Sequence, residues 1–547
     1  MTVHVTGDGG GAPPGGVHPG LLAGDPHDVR LVQEVHPPTW RNPAPRDLYD
    51  VVVVGAGTAG LVAAAGAAGL GARVALVERS LMGGDCLNHG CVPSKALLRA
   101  ARAAADVRDA ARFGVSVNGP VAVDFTAVME RMRRLRAGLA PHDGASRFRR
   151  LGVDVFLGEG RFTGPRELEV AGARLRFARA VIATGSRPAV PSVPGLAETG
   201  FFTNETVFGL TALPARLAVI GGGPVGCELA QAFARFGARV HLVTPLPRLL
   251  ERDDPDAAAL VAGALGRDGV TLHAGRRVTR VERTADGIRL WHEAANGEAP
   301  ARGAPTAVGE LRDEGAPRHA AGPAPPIDAE AILVAAGRVP DVEGLGLDAA
   351  GVAPDPVRGV LVDDHLRTTN PRIWAAGDVC SELRFTHLSD ALARIAVRNA
   401  LFGGRARVSA LTVPWCTYTD PEVAHVRAGA AAGGAGEREL RTFLQELHGV
   451  DRAVLDGEDE GFVKVRVRRR GGRIVSATIV ARHAGEMLPG LALAVAAGIP
   501  LGRLAAVIHP YPTQAEAVRR IADAWQRTRL TPRARRILSW WLGLRRR

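Results

Sequence analysis

Two cysteines, Cys86 and Cys91, stand five positions apart in the stretch Gly83–Lys95, which is predicted to begin a helix. Helical residues four to five positions apart lie on neighbouring faces, so a distorted first turn would bring the two sulfurs within disulfide reach. The helix N-terminus and the charge of Lys95 would favour a thiolate. The alternative is a pair of buried structural cysteines, because free cysteine packs as a small hydrophobic side chain. The flanking sequence favours the first interpretation, a dithiol that stores two electrons.

A nucleotide-binding unit precedes the cysteines. The apolar run at residues 48–54 predicts a buried parallel strand, and Gly55, Gly57 and Gly60 follow it at the start of an Ala-rich helix. The next strand ends at Glu78. The glycines would let the backbone approach a pyrophosphate at the helix N-terminus, and the acid would accept from a ribose hydroxyl.

A second unit of the same kind follows later, with Gly221, Gly223 and Gly226 after a buried strand. Two such units imply two dinucleotides. Here the second strand ends at Thr244 instead of an acid, which leaves room for a 2′-phosphate. Arg248 is either a ligand of that phosphate or an ordinary loop cation. This pattern favours NADPH over NADH, and both coenzymes stay open.

Composition narrows the class of protein. The 547 residues allow several domains, and five cysteines are too few for a secreted disulfide framework. No signal peptide or membrane-spanning run is apparent, so a cytoplasmic location is predicted. The net charge of +12 comes from arginines spread over the whole chain, and no single-strand platform or recognition helix accompanies it. We therefore expect no nucleic-acid partner.

The motifs together resemble the pyridine nucleotide-disulfide oxidoreductase family, the group of dihydrolipoamide dehydrogenase, glutathione reductase and mercuric reductase. The resemblance extends from about residue 49 to residue 524. It implies an α/β fold class, with two Rossmann-like dinucleotide-binding domains for FAD and NAD(P) and a C-terminal α+β dimerisation domain. The motifs that carry it, in family order, lie at residues 55–60, 86–95, 183–186, 221–228, 337–340, 369–379 and 512–516.

The resemblance and the local composition also divide the chain into segments. Gly, Pro and His dominate the N-terminal residues and predict disorder, and a low-complexity insertion interrupts the second nucleotide-binding domain. The predicted segments are a disordered arm at 1–47, a discontinuous FAD domain at 48–190 and 328–408, an NAD(P) domain at 191–327 with the insertion at 295–326, a dimerisation domain at 409–525 and a basic tail at 526–547.

Cofactor-binding residues follow from the resemblance. Glu78 would bind the FAD ribose, and Asp378 would lie near the ribityl chain and phosphates, although an Asp after a strand and a glycine is also a common N-cap. Thr386 and His387 would begin a helix whose N-terminus faces the flavin. The implied cofactor-binding residues are Gly55, Gly57, Gly60, Glu78, Gly84, Lys95, Thr184, Gly185, Ser186, Asp378, Thr386 and His387, together with Gly221, Gly223, Gly226, Gly337 and Arg338.

The resemblance also implies catalytic roles. Cys91 would be the flavin-side charge-transfer thiol and Cys86 the outer thiol that meets substrate. Lys95 and Glu228 would pair beside the flavin, where hydride arrives from NAD(P)H. Electrons would then pass from the flavin to the disulfide and on to a small-molecule acceptor. In the family the C-terminal segment of a second subunit completes the site, so a homodimer is implied.

The chain departs from the family pattern where the acceptor is decided. In the disulfide-reducing members a His precedes Pro-Thr, with a Glu five residues beyond it; here Tyr511 occupies that position, with Glu516 at the expected spacing. His509 is two residues too early. A phenol with a pKa near 10 is a poor base for a thiol. Mercuric reductase is similar in having Tyr there, but its C-terminal cysteine pair and metal-binding Cys-x-x-Cys domain have no counterpart, and no metal site is predicted.

The sequence therefore predicts an FAD-dependent NAD(P)H oxidoreductase whose Cys86–Cys91 pair serves a disulfide or another small acceptor, as in mercuric reductase. One alternative is dihydrolipoamide dehydrogenase, which would use NAD and a catalytic His. Another is a flavin-binding redox sensor or membrane-peripheral partner protein, suggested by the insertion and the tail at 533–547. That tail is either a helix in weak contact with a membrane surface or a terminal helix packed on the dimer. Asp85, where relatives usually have Thr, is a further departure without an interpretation at this level.

Overall fold

The computed structural model describes residues 18, 20–295, 325–429 and 439–546. Its first element is helix α1 (Pro26–Val35), whose N-cap Asp25 accepts hydrogen bonds from the backbone N–H groups of His27 and Asp28. Leu31 and Val35 are fully buried. The prediction of a disordered arm at residues 1–47 is wrong for this helix. An N-cap acid followed by proline is a helix-start signal that the surrounding Gly- and His-rich composition obscured.

Two predicted segments fall wholly or largely outside the described residues. They are the start of the arm, residues 1–17, and most of the low-complexity insertion, residues 296–324.

The first domain is built on a seven-stranded sheet. Four of its strands continue in parallel order β3-β2-β1-β6, and β4 and β5 extend the β6 edge as antiparallel strands. Buried Val side chains of β1 make the strand a continuous apolar run, as expected for a central parallel strand. The elements are β1 (Tyr49–Val54), α2 (Thr58–Gly69), β2 (Val74–Glu78), α3 (Gly84–Asn88), α4 (Cys91–Asp109), α5 (Phe125–Leu139), α6 (Ala145–Arg150), β3 (Val153–Leu157), β4 (Gly160–Gly164), β5 (Glu167–Val170), β6 (Ala173–Ile182) and β7 (Ser186–Pro188).

The second domain contains a four-stranded parallel sheet of order β10-β9-β8-β14 and a three-stranded antiparallel sheet of order β11-β12-β13. Leu290 of β12 pairs with Ile327 of β13, although the insertion lies between these strands. The elements are α7 (Leu196–Thr199), β8 (Arg216–Ile220), α8 (Pro224–Phe236), β9 (Arg239–Thr244), α9 (Pro255–Arg267), β10 (Val270–Ala274), β11 (Arg276–Thr284), β12 (Gly287–Ala294), β13 (Ile327–Ala329) and β14 (Ala331–Val334).

The chain then returns to the first domain. Ile373 of the returning strand pairs in parallel with Ala180 of β6, so the second domain is inserted into the first. The helix that follows packs along α2 and closes the core of the first domain. The returning elements are β15 (Arg338–Pro340), α10 (Leu347–Ala350), β16 (Pro354–Asp355), β17 (Gly359–Val360), β18 (Ile373–Ala375) and α11 (Thr386–Phe402).

The third domain is a five-stranded antiparallel sheet of order β19-β20-β23-β22-β21, with helices packed against one face. Its last helix is exposed along its whole length. Across the described ranges, none of the helices has the length and apolar character needed to cross a bilayer. The elements are β19 (Val413–Thr417), β20 (Glu422–Arg427), β21 (Leu440–Glu446), α12 (Asp451–Asp456), β22 (Phe462–Arg468), β23 (Ile474–Ala481), α13 (Ala484–Ala496), α14 (Leu501–Leu504), α15 (Glu516–Arg527) and α16 (Pro532–Arg545).

Candidate active site

The two cysteines lie on different helices, which corrects the expectation of one helix start. Cys86 belongs to the short helix α3, and Cys91 is the first residue of α4. Gly90 stands at the junction, where a Cβ atom would lie only 2.9 Å from the backbone oxygen of Asp85. A larger residue would therefore force the turn open. Both cysteines are free thiols in this structure.

The two thiols have opposite proton affinities. Hydrogen bonding from Cys86, with the nearby Lys95 ammonium, outweighs burial and lowers the pKa of the Cys91 thiol to about 6. The same hydrogen bond, together with burial, raises the pKa of Cys86 well above its ordinary value. At neutral pH the reduced pair is therefore a Cys91 thiolate beside a Cys86 thiol.

The N-terminus of α11 faces the same thiolate. Thr386 Oγ1 lies 3.4 Å from Cys91 Sγ, within hydrogen-bond reach of sulfur. Next to it, His387 Nε2 contacts the backbone oxygen of Pro414 at 2.6 Å, which ties the first turn of α11 to β19. The positive end of the helix dipole thus points at the sulfur pair, where it favours negative charge.

Lys95 lies one turn beyond Cys91 on α4, and its Nζ donates to Glu228 Oε2 at 2.7 Å. Glu228 is buried, and its other oxygen accepts from the backbone N–H of Tyr418 at 2.8 Å. Lys95 Nζ also lies 4.6 Å from the centre of the Tyr418 ring. Burial alone would lower the pKa of Lys95, but the negative charges of Glu228 and Cys91 raise it overall. The pair therefore stays ionised and is held from three elements.

The first glycine loop forms a close-packed cradle. A Cβ atom on Gly60 would lie 1.7 Å from the oxygen of Gly55, and one on Gly55 would lie 2.4 Å from the oxygen of Ala183. Gly84 has a positive φ, and a Cβ there would lie 2.6 Å from the Cα of Gly57. Helix α2 begins after Gly57 with no side-chain cap, so its first N–H groups are available to an anion. These features fit the pyrophosphate of a dinucleotide such as FAD.

Glu78 ends β2 beside this cradle and is buried. Its carboxylate accepts from the backbone N–H groups of Ala56 and Ser80 at 2.6 and 2.7 Å. Burial raises the pKa of Glu78. Because each carboxylate oxygen has two lone pairs, the group still has acceptor capacity for ribose hydroxyls.

A polar cluster links Asp378 to the short helix α3, which carries Cys86. Ser186 Oγ donates to Asp378 Oδ2 at 2.7 Å, and Arg338 Nε donates to Ser186 Oγ at 2.7 Å. Arg338 Nη1 lies 3.3 Å from Asp85 Oδ2, and Asp85 Oδ1 accepts from Asn204 Nδ2 at 2.9 Å. Asp85 thus has a structural explanation, as a link between α3 and Arg338.

The turns beside that cluster adopt the conformations that their glycines suggest. Gly185 and Gly337 both have positive φ, at 76° and 111°. Just before Gly185, Thr184 Oγ1 donates a hydrogen bond to the backbone oxygen of Asp341 at 2.7 Å. This bond ties the end of β6 to the returning chain.

The second glycine loop repeats the geometry of the first. A Cβ on Gly226 would lie 1.9 Å from the oxygen of Gly221, and α8 begins after Gly223 without a side-chain cap. This loop fits a second pyrophosphate. Thr244 is buried, and Arg248 donates to the backbone oxygens of Leu250 and Glu251. Arg248 is therefore engaged with its own loop here.

The structure does not bring Tyr511 and Glu516 into hydrogen-bond contact. The Tyr511 hydroxyl donates to Asp451 Oδ2 at 3.0 Å, whereas Glu516 accepts from Arg519 at 2.6 Å. The hydrogen bond to Asp451 raises the pKa of the exposed Tyr511 phenol. His509 Nδ1 lies 3.0 Å from the backbone oxygen of Val507. Among the described residues, neither Tyr511 nor His509 is hydrogen-bonded to Cys86 or Cys91 of the same chain.

Two nucleotide cradles beside a dithiol define a protein that moves electrons between dinucleotides and sulfur. Comparison with known families agrees: the model described as pyridine nucleotide-disulphide oxidoreductase matches residues 49–399, and its dimerisation-domain model matches residues 413–522. The chain belongs to the pyridine nucleotide-disulphide oxidoreductase family, whose enzymes of this kind use FAD and NAD(P)H. The match to the dimerisation domain supports a homodimer.

Three relatives show the range of the likeness. The mercuric reductase of Streptomyces lividans is 33% identical over 483 residues, which is 87% of this chain and 96% of that protein. The dihydrolipoyl dehydrogenase of Chlamydia muridarum is 30% identical over 480 residues, which is 86% of this chain and 95% of that protein. A solved Cu(II) complex of the HOCl-induced flavoprotein disulfide reductase RclA from Escherichia coli has a TM-score of 0.71 at 25% identity, covering 88% of this chain and 100% of that chain.

Several site contacts have no signal in the sequence. Tyr418 reaches Glu228 and Lys95 from the third domain, and Thr386 reaches Cys91 across 295 positions. Asn204 supports Asp85 from the link into the second domain. These contacts depend on how distant segments of the chain pack, which neither spacing nor residue type reveals.

Proposed function

We propose that the chain passes two electrons from NAD(P)H, through the Cys86–Cys91 pair, to a small thiophilic acceptor, with a soft metal ion favoured over an organic disulfide. The observation that carries this choice is Tyr511, which stands where disulfide-reducing relatives have a His. Its hydroxyl is hydrogen-bonded to Asp451, and its pKa is raised from a value already near 10. Such a phenol is a poor proton acceptor at neutral pH.

The type of acceptor decides whether a base is needed, because the outer thiol, Cys86, keeps its proton at neutral pH. The hydrogen bond to Cys91 and burial raise the pKa of Cys86, so attack on a disulfide needs a base. A coordinating metal ion deprotonates a thiol outright and makes such a base unnecessary. The mercuric reductases among the relatives support this preference, and the Cu(II) complex of the disulfide reductase RclA shows that a structural neighbour binds a metal ion.

The roles of the remaining groups follow from their contacts. When bound, FAD supplies the chemistry that takes hydride from NAD(P)H and delivers two electrons to sulfur. Lys95, paired with Glu228, and the N-terminus of α11 hold Cys91 as a thiolate. Cys86 binds the acceptor. Overall, Hg(II) and NAD(P)H yield Hg(0), NAD(P)⁺ and one proton; with Cu(II), two ions are reduced to Cu(I).

Anaerobic acceptor assays test the proposal. The holoenzyme, mixed with NADPH or NADH, should oxidise coenzyme rapidly when thiol-buffered Hg(II), or a Cu(II) chelate in thiol-free buffer, is added, and slowly with lipoamide or glutathione disulfide. A Cys86→Ser variant should lose the metal-dependent reaction and still bind FAD. Faster turnover of either disulfide than of both metals would overturn the preference. The better coenzyme in the same assay settles the choice that Thr244 leaves open.

The C-terminal helix α16 supports a further, weaker interaction with a membrane surface. Its apolar side chains are solvent-exposed, with Trp540 and Trp541 at 67% and 45%, and arginines flank them on both sides. Exposed tryptophans next to positively charged arginines are typical of helices that bind an anionic lipid surface. A chain truncated after residue 529 should pellet less with anionic vesicles than the full chain; equal pelleting would remove this contact.

We also propose that the chain works as a homodimer in the cytoplasm. The dimer would let the C-terminal segment of one subunit complete the site of the other, as the family resemblance implies. A cytoplasmic location suits a dithiol that must return to its reduced form at the expense of NAD(P)H.

A further inference from the structure

Helix α1 lies outside the segment matched by the family model, which begins at residue 49, yet it is joined to the core by a buried ion pair. Arg136 of α5 donates from Nη2 to Asp28 Oδ1 at 2.6 Å, and the two side chains are 0% and 2% exposed. Taking two charges out of water is costly, so such a pair contributes little net stability. The pair must therefore be examined for a role other than stability.

The second arm of the same guanidinium contacts the backbone between the two cysteines. Arg136 Nη1 donates to the backbone oxygen of Asn88 at 2.9 Å, and Asn88 lies in the turn between Cys86 and Cys91. Asn88 is itself buried, and its side-chain amide donates to the backbone oxygens of Met82 and Gly84 at 3.1 and 2.8 Å. Asp28 thus orients a guanidinium that holds the middle of this turn.

The end of α1 is hydrogen-bonded to the residues that immediately precede the cysteine stretch. The backbone N–H of Met82 donates to the oxygen of Val35 at 3.1 Å. His36 Nδ1 contacts the backbone oxygen of Ser80 at 2.5 Å. The segment before the matched family domain therefore contacts the residues just before the cysteine stretch directly, and it reaches Asn88 through Arg136.

We infer that α1 is a positioning element for the redox turn, residues 86–91, and that Arg136, oriented by Asp28, is the positioning residue that acts on it. The inference rests on the proposed redox function of this turn. Neither residue touches the sulfurs, so both act through the backbone of Asn88.

The expected consequence concerns the thiolate. The Cys86 thiol is the main cause of the lowered pKa of Cys91, and its effect depends on how the turn places the two sulfurs. Loss of the Arg136 contact leaves the Asn88 oxygen without its charged donor and loosens the turn. The Cys91 pKa should then rise from about 6 towards the ordinary value of a thiol.

The chain offers a matched control one turn away on α5. Arg133 Nε donates to Asp25 Oδ2 at 2.8 Å, and the two side chains are 7% and 13% exposed. This pair also joins α5 to α1, but among the described residues it makes no hydrogen bond or ion pair to any residue of the redox turn. Loss of the Arg133 pair therefore reports the purely structural cost of weakening α1.

The experiment compares Arg136→Met and Arg133→Met as FAD-loaded proteins. Each is reduced anaerobically by two electrons, and the long-wavelength thiolate-to-flavin absorbance is followed against pH, with the thermal unfolding midpoint and the rate of Cys86 alkylation. Both variants should unfold at a lower temperature. Only Arg136→Met should shift the pH midpoint of the band upwards, by about one unit or a tenfold lower thiolate fraction.

Three outcomes decide the matter. Equal midpoints in the two variants and in the unmodified protein would overturn the inference and leave α1 a stabilising element only. Absence of the band in the unmodified protein would instead overturn the proposed function. If Arg136→Met does not fold, the double variant Asp28→Leu/Arg136→Met replaces the buried pair with apolar groups, which is often tolerated. It also removes the Asn88 donor, so the upward shift is expected there too, and its absence would refute the positioning role.

Discussion

The redox turn and the C-terminal segment at residues 509–516 differ in how far they are buried and hydrogen-bonded within a single chain. In the redox turn, Asn88 is 1% exposed and its backbone and side chain are both hydrogen-bonded. In the C-terminal segment, Tyr511 is 69% exposed and its hydroxyl meets Asp451 of its own domain. The electron store is thus preorganised within a single chain, whereas the group that would select the acceptor is not. Changes in the first region should abolish chemistry, and changes in the second should redirect it.

The largest effect is expected from Cys91→Ser. Removal of the thiolate should eliminate the long-wavelength band and lower acceptor turnover by about 10³-fold or more, because Cys91 is the one described cysteine whose pKa is lowered. Anaerobic spectra and coenzyme oxidation measure both. Cys227→Ala, which alters a thiol buried on α8, should keep the band; its loss there would mean that the band does not come from Cys91.

Tyr511→His should redirect the chemistry. An imidazole with a pKa near neutrality can take the thiol proton, and a positioned base is worth about 10²-fold or more. We therefore expect lipoamide reduction to rise by about 10²-fold, with the charge-transfer band unchanged. Tyr511→Phe, which removes only the hydroxyl, should show no gain. Rapid lipoamide turnover by the unmodified protein would refute the contrast between the two regions.

Opposite pH shifts should follow from breaking the Lys95–Glu228 pair at either end. The depressed pKa of Cys91 means that its thiolate is present above about pH 6 and is lost as the pH falls through that value. Lys95→Met removes a positive charge and should raise the midpoint of the band, whereas Glu228→Gln removes a negative charge and should lower it. Each shift should be about one unit. Shifts of the same sign would show that the charges do not act directly on Cys91.

The smallest effect is expected from Asp85→Asn. The Asp85 carboxylate helps to raise the pKa of Cys86, and its partly exposed pairing with Arg338 at 3.3 Å is weak. The neutral amide should increase the alkylation rate of Cys86 in the reduced protein by about two- to fivefold. Arg187→Gln breaks an exposed pair with Glu343 elsewhere on the surface and should leave the rate unchanged. An unchanged rate in Asp85→Asn would show that Asp85 only ties α3 to Arg338.

The two glycine loops could be predicted from sequence because their geometry is local. The positive φ of Gly55 and the contact of Gly60 with it arise within six residues, next to a strand with an unbroken apolar run. The cysteine turn was only partly predictable: its spacing indicated a redox pair, but the break at Gly90 between two helices did not follow from helical periodicity.

The rest of the site depends on contacts between distant segments. The Lys95–Glu228 pair joins residues 133 positions apart and came from family resemblance, not from any pattern in the chain. The Asp451 partner of Tyr511 and the support of Asn88 by Arg136 had no signal at all. Helix α1 does have a local signal, the capping Asp25 followed by Pro26, but the Gly- and His-rich composition around it indicates disorder.

The pairing of β12 with β13 has a practical consequence. Leu290 stands opposite Ile327, so the register of this sheet is set by the strands themselves and not by the length of chain between them. Closing a longer loop costs only about 0.6 kcal/mol for each doubling of its length. A reporter or affinity module inserted between β12 and β13 is therefore expected to leave the register of these two strands unchanged.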